Sequence, residues 1–190
     1  SDAYQALLQV LGQPGSPEQS PGVELAEQLK AEYSSSTYAQ FAALHLAALA
    51  VNQGDLAEAE AQLRWVLGKA SRGSDTALVA QLRLARVVAA KGETEQALSI
   101  LAQDSGSFYA SYAAARGDIL LAAGRDEEAR DAYNQAMSQG GMGVNLPALQ
   151  QKLQSLNPVP ARELVVAAEQ SPEPVVETAP EEEPVDAGEG

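Results

Sequence analysis

The stretch Gly54-Asp55-Leu56-Ala57-Glu58-Ala59 decides how this chain folds, because it occurs three times. It returns as Gly92-Glu93-Thr94-Glu95-Gln96-Ala97 and as Gly124-Arg125-Asp126-Glu127-Glu128-Ala129, at Gly-to-Gly intervals of 38 and 32 residues. Seven residues before each Gly stands a small residue, Ala47, Ala85 or Gly117. Four residues after each closing Ala stands a larger apolar one, Leu63, Leu101 or Tyr133. Each position has a packing reason. The Gly closes a helix in the left-handed region without a Cβ penalty. The acids after it lie in the first turn of the next helix, where they complement its N-terminal dipole. Small residues let paired helix axes approach, and the larger residue fills the space toward the neighbouring pair. The sequence therefore predicts helix, turn, helix, repeated.

Extending outward from these turns, helices are predicted over 2–11, 22–33, 37–53, 56–67, 76–91, 93–103, 108–123, 126–139 and 147–156. The first two form a divergent pair around the Pro/Gly-rich loop from Gly12 to Pro21. The last, with Leu149, Leu153 and Leu156 on one face, is expected to cap the open end of the array. A period near 34 with this arrangement of small and large positions resembles the tetratricopeptide repeat. The fold class expected is thus all-α, a tetratricopeptide-like solenoid of antiparallel helix pairs. The first interval is lengthened by the loop Gly68 to Asp75, and the second is shortened at the turn Asp104-Ser105-Gly106.

Composition agrees with that reading and excludes several functions. Hydrophobic residues make up 45% of the 190 and aromatics only 5%, which favours closely packed, Ala-rich helices. A formal charge of −14 disfavours attraction to phosphate backbones, so no nucleic-acid partner is expected. With no Cys there is no disulfide frame, thiolate nucleophile or Cys-based zinc site. No run reaches the roughly 18 apolar residues that a membrane-spanning helix needs. The charge is uneven: residues 158–190 carry nine acids and one base, a balance of −8, and the preceding 157 residues carry −6. Six prolines punctuate that final stretch. We therefore expect a folded domain over 1–157 and a disordered Pro/Glu-rich acidic tail over 158–190, with at most a weak helical turn or two near Glu163 to Glu169. The tail reads either as an interaction arm or as a solubilising extension.

No residue cluster calls for catalysis, and no cofactor or metal is implied. His45 is the sole histidine, flanked by Leu44 and Leu46, and reads as a structural side chain. Glu58/Glu60 and Glu127/Glu128 recur at corresponding turn positions, as capping and solvating acids do. Within Ser34-Ser35-Ser36-Thr37, Ser36 or Thr37 is expected to cap the following helix. Gly12-x-x-Gly15 and Gly140-Gly141-x-Gly143 lack a preceding strand and a Lys-Ser/Thr partner, so they read as turns. Trp65 is expected to anchor packing against the long loop.

Repeat registration defines a sharper cluster. Phe41, Leu44, Ala48 and Val51 fall on the inner face of the array, next to Leu82, with Arg83 and Arg86 beside them. This face reads as a protein-binding groove formed by Phe41, Leu44, Ala48, Leu82, Arg83 and Arg86, or as a surface covered by an N-terminal helix through Tyr4, Leu7, Leu8 and Leu11. Arg86 and Asp118 each come directly after the small residue of their repeat. They are expected to pair across repeats; alternatively, Arg83 and Arg86 remain available to a partner's carboxylates or carbonyls.

The run Leu82-Arg83-Leu84-Ala85-Arg86-Val87, the run Arg116-Gly117-Asp118-x-Leu120-Leu121-x-x-Gly124, the opening Ala3-Tyr4-Gln5 and the Gly54-Asp55-Leu56-x-x-Ala59 turn together resemble the soluble domain of the YfgM family over about residues 3–156. The resemblance implies a non-enzymatic protein on the periplasmic side of the bacterial inner membrane, held by an N-terminal transmembrane helix. It implies the SecYEG translocon and a PpiD-type periplasmic chaperone as partners, and a role in passing translocated, unfolded polypeptides between them. The abrupt opening at Ser1-Asp2-Ala3, already helical in pattern, is expected if this is the soluble part of a longer protein. Two features depart from the family: the Pro/Glu tail and the longer loop after the first full repeat. A scaffold in outer-membrane assembly or envelope organisation is the nearest alternative, and an enzyme built on a helical array would require carboxylates gathered around His45.

Overall fold

The computed structural model describes residues 21–139 and 145–156, all within the compact unit Ser1–Leu156. The described residues form eight α-helices: α1 (Pro21–Glu32), α2 (Thr37–Gln53), α3 (Leu56–Lys69), α4 (Asp75–Ala90), α5 (Thr94–Leu101), α6 (Tyr109–Ala122), α7 (Asp126–Gln139) and α8 (Leu146–Leu156). A 3-10 turn over Gly106–Phe108 leads into α6. The helix and acidic tail expected over 2–11 and 158–190, and the turns at 12–15 and 140–143, lie outside the described residues.

Local sequence explains where these helices begin and end. The Oγ of Ser36 accepts from the Ala39 N–H at 3.1 Å, the Oδ1 of Asp55 from Glu58 N–H at 2.9 Å, and the Oγ of Ser74 from Ala77 N–H at 3.3 Å. Each satisfies a donor that has no partner within its helix. Ser36, rather than Thr37, is therefore the cap. At the other end, Gly54, Gly92 and Gly124 have φ of 79°, 89° and 73°. All three turns share one hydrogen-bond pattern. The glycine N–H donates three residues back, to Val51, Ala89 or Leu121, and the next N–H donates five back, to Ala50, Val88 or Leu120. The repeat signature is thus a helix-closing device used three times.

Consecutive helices pack as neighbours, and α2, α4 and α6, the first helices of successive pairs, also touch one another. The small positions between them are sealed: Ala59, Ala85, Ala97 and Ala129 are fully buried. Leu63, Leu101 and Tyr133, the predicted larger residues, are buried as well. One core runs through α2 to α6, a second joins α6, α7 and α8, and a third holds α1 to α2 through Ala26, Leu29, Ala42 and Leu46. Buried polar groups stitch the repeats together. The Tyr112 hydroxyl donates to the Leu78 carbonyl at 2.9 Å, and the Gln81 amide to the Ile100 carbonyl at 2.8 Å. Burial, with Asp104 nearby, pushes the Tyr112 phenol up to about 12, so it remains a donor.

The second pair is foreshortened. Its second helix, α5, has only eight residues. Glu93 makes no capping bond through its side chain, and the chain turns after Leu101, where Asp104 Oδ1 accepts from Gly106 N–H at 3.0 Å. This turn falls where the short interval places it. The 3-10 turn leading into α6 had no signal in the hydrophobic pattern.

Candidate protein-binding groove

Two adjoining depressions mark the face where α2 meets α4. The first, about 280 Å³, is lined by Ala47, Ala48, Val51, Asn52, Leu56, Leu63, Arg83, Arg86, Val87 and Ala90. The second, about 310 Å³, is lined by Phe41, Leu44, His45, Ala48 and Arg83. Ala48 and Arg83 belong to both, so the two read as one continuous groove along α2. Its floor is apolar because an Ala-rich helix face presents no polar side chain, and its polar groups come from the edges.

Five of the six residues expected in this groove line it: Phe41, Leu44, Ala48, Arg83 and Arg86. Leu82 does not. It is buried in the core, one helical position from Arg83 and therefore turned about 100° away from it. Val51, 44% exposed, is among the more exposed large apolar residues of the described chain. The covering helix expected through Tyr4, Leu7, Leu8 and Leu11 lies outside the described residues.

The pairing expected between Arg86 and Asp118 is not formed. Asp118 Oδ1 instead accepts from Lys152 Nζ of α8 at 2.5 Å and from the Tyr133 hydroxyl at 2.8 Å. The capping helix brings a cation closer to Asp118 than the neighbouring repeat does. Burial and the Asp118 carboxylate raise the Tyr133 phenol above its ordinary pKa, which keeps it a donor. The ring itself lies against Gly117, where an added Cβ would come within 2.5 Å of it. Sequence reasoning paired like positions of successive repeats and missed Lys152. The i,i+3 and i,i+4 placement of Leu149, Lys152 and Leu156 on the capping helix was the signal that could have found it.

Electrostatics in the groove are one-sided. Arg83 Nη1 donates to the Leu44 carbonyl at 3.4 Å, and Arg86 makes no hydrogen bond or ion pair among the described residues. Neither depression has an Asp or Glu in its lining. His45 opens into the second one, and burial together with the Arg83 charge holds its pKa below the usual 6.5. The carboxylates that an enzymatic reading would need around His45 are not among its neighbours there. No group of metal-ligating side chains occurs among the described residues.

Other candidates have structural work. Glu60 pairs with Arg64 and Lys91, which lower its pKa, and Glu128 pairs with Arg125. Glu58 accepts from the Gln62 amide at 2.6 Å. Trp65 packs against the main core with Lys30 and Lys69 over its ring. None of the described helices is long and apolar enough to cross a membrane.

Comparison with known proteins agrees with this architecture. Residues 1–158 match the family model described as a tetratricopeptide repeat-like domain. Two curated relatives carry the name ancillary SecYEG translocon subunit. The one from Haemophilus influenzae is 37% identical over 115 residues, covering 60% of this chain and 56% of its own length. The one from Escherichia coli is 31% identical over 156 residues, covering 82% of this chain and 73% of its own length. No solved structure matches. A repeat-like domain spanning most of the chain, and an alignment over four-fifths of it to such a relative, show that this chain belongs to the YfgM family of tetratricopeptide repeat-like proteins.

Proposed function

We propose that this domain is a non-enzymatic protein-binding module, ancillary to the Sec translocon. In this reading it stands on the periplasmic side of the bacterial inner membrane and helps translocated polypeptides pass to a PpiD-type periplasmic chaperone. The observation that carries the reading is the 31% identity over 82% of the chain to a protein named as a translocon subunit. The groove between α2 and α4 supports it. An apolar trough edged by arginines can take extended polypeptide, because burial of apolar side chains is non-directional and guanidinium groups donate to both carbonyl and carboxylate oxygens. Tetratricopeptide arrays serve many partners, so the fold by itself does not name one.

The test is site-specific photocrosslinking in membranes, with the probe at Phe41 or Arg83 of the full-length protein. Adducts with translocon subunits, with a parvulin-type chaperone or with secreted chains are the expected result. A probe that yields none of these, in a protein that is folded and membrane-associated, overturns the proposal.

A further inference from the structure

We propose that the groove between α2 and α4 selects polypeptide segments in which apolar side chains alternate with carboxylates. The apolar groups lie on the exposed Ala48 and Val51, in a lining that also includes the buried Ala47 and Val87, and the carboxylates meet Arg83 and Arg86. This deepens the protein-binding reading and rests on it.

The argument begins with charge. In a chain with 26 acidic and 12 basic residues, carboxylates for a cation are plentiful. Lys30, Arg64, Lys91, Arg125 and Lys152 each hold one within ion-pair distance. Arg83 and Arg86 hold none among the described residues, and neither do Lys69, Arg72, Arg116 and Arg130; what sets Arg83 and Arg86 apart is that they sit three residues apart on one helix, where like charges destabilise it. Both border the same apolar trough, and no acid lines it. A bound carboxylate would relieve that repulsion and form charge-assisted hydrogen bonds with the two exposed guanidinium groups. Length sets the scale of the occupant. From Phe41 to Asn52 the trough runs along α2 for roughly 16 Å at about 1.5 Å per residue. An extended chain covers that in about five residues, with side chains alternating in direction. Alternation is what allows one set to face the apolar floor while its neighbours reach the arginines.

The overall negative charge does not forbid this. Beyond about 8 Å it is screened at physiological salt, so short-range contact with two guanidinium groups decides the outcome.

The experiment is fluorescence anisotropy with the full chain and three labelled peptides of matched length: alternating Asp and Leu, alternating Asn and Leu, and alternating Asp and Ser. The Asp/Leu peptide should bind at least tenfold more tightly than either of the others, with an affinity that falls as salt rises. Arg83→Glu/Arg86→Glu should weaken it at least tenfold and favour a Lys/Leu peptide instead. Ala48→Glu, which places a carboxylate between the two depressions, should block it while thermal unfolding is unchanged. Equal binding of the Asp/Leu and Asn/Leu peptides overturns the proposal. So does Asp/Leu binding that survives charge reversal, or no binding to any peptide, the result expected of a groove filled by the chain's own first twenty residues. Translocon crosslinks that persist when peptide selectivity fails would leave the translocon reading standing and reject this one alone.

Discussion

Arg86 and Asp118 occupy the same register position in successive repeats, each directly after the small residue that lets two helices approach, yet their surroundings differ. Around Asp118 the surface is closed. Lys152 reaches over from α8, the Tyr133 hydroxyl donates from α7, and the Tyr133 ring fills the space over Gly117. Around Arg86 it is open, with an apolar trough and no partner for the guanidinium among the described residues. The two differ because of the helices that come next in the chain. The third pair leads into a helix that folds back as a cap, whereas the second leads into another repeat, which leaves the face between α2 and α4 uncovered by any described element. Equivalent positions in a repeat array therefore have equivalent backbones but not equivalent chemistry.

The largest effect should come from the closed end. Gly117→Val places side-chain atoms where the Tyr133 ring lies, and should cost about 3 kcal/mol in urea unfolding. Tyr133→Leu in the same chain should recover part of that loss. Full stability of Gly117→Val would mean that the ring does not fill this space. Next come the three turns. Ala at Gly54, Gly92 or Gly124 forces a Cβ into the left-handed region and should lower stability by about 1 to 2 kcal/mol at each position. A much smaller loss at one turn would show that its repeat closes differently.

Smaller effects distinguish the two register positions directly. Lys152→Ala removes a pair whose side chains are each 40% exposed, so the loss should be about 0.5 kcal/mol, with faster amide exchange concentrated in α8. Arg86→Ala removes no partner and should change stability by less than about 0.5 kcal/mol. A larger loss from Arg86→Ala than from Lys152→Ala would reverse the contrast between open and closed ends. The smallest effect concerns His45. Its NMR titration should give a pKa below 6.5, and Arg83→Gln should raise it part of the way back, since burial is the larger cause. The folded state favours the neutral ring, so the His45 contribution is constant above the ordinary pKa of 6.5 and stability falls as pH drops from there toward the folded-state pKa. An unchanged His45 titration in Arg83→Gln would place the guanidinium away from the ring.

Much of this was legible in the chain itself. Helix ends were marked by Ser36 and the three glycines, because capping and left-handed turns depend on groups within a few residues of each other, whereas Asp55, expected in the first turn, and Ser74 were not read as the caps they are. The bounds of α2 and α7 were read to the residue. Five of the six residues that repeat alignment placed on the inner face do line the depressions between α2 and α4, since a helix face is set by a period of about 3.6 residues. Leu82 was misplaced because a single position of helical rotation separates groove from core.

The order of small and large residues thus settled that helices would pair, where each would turn and which faces would be apolar, since these depend on contacts within one or two turns. Which Asp meets which cation was decided only when α8 folded back across 34 residues of chain and brought Lys152 to Asp118. Ion pairs depend on a few ångströms of separation, and periodicity alone does not contain that distance. The same folding left Arg83 and Arg86 beside an apolar trough without a carboxylate in its lining, an arrangement visible only in three dimensions.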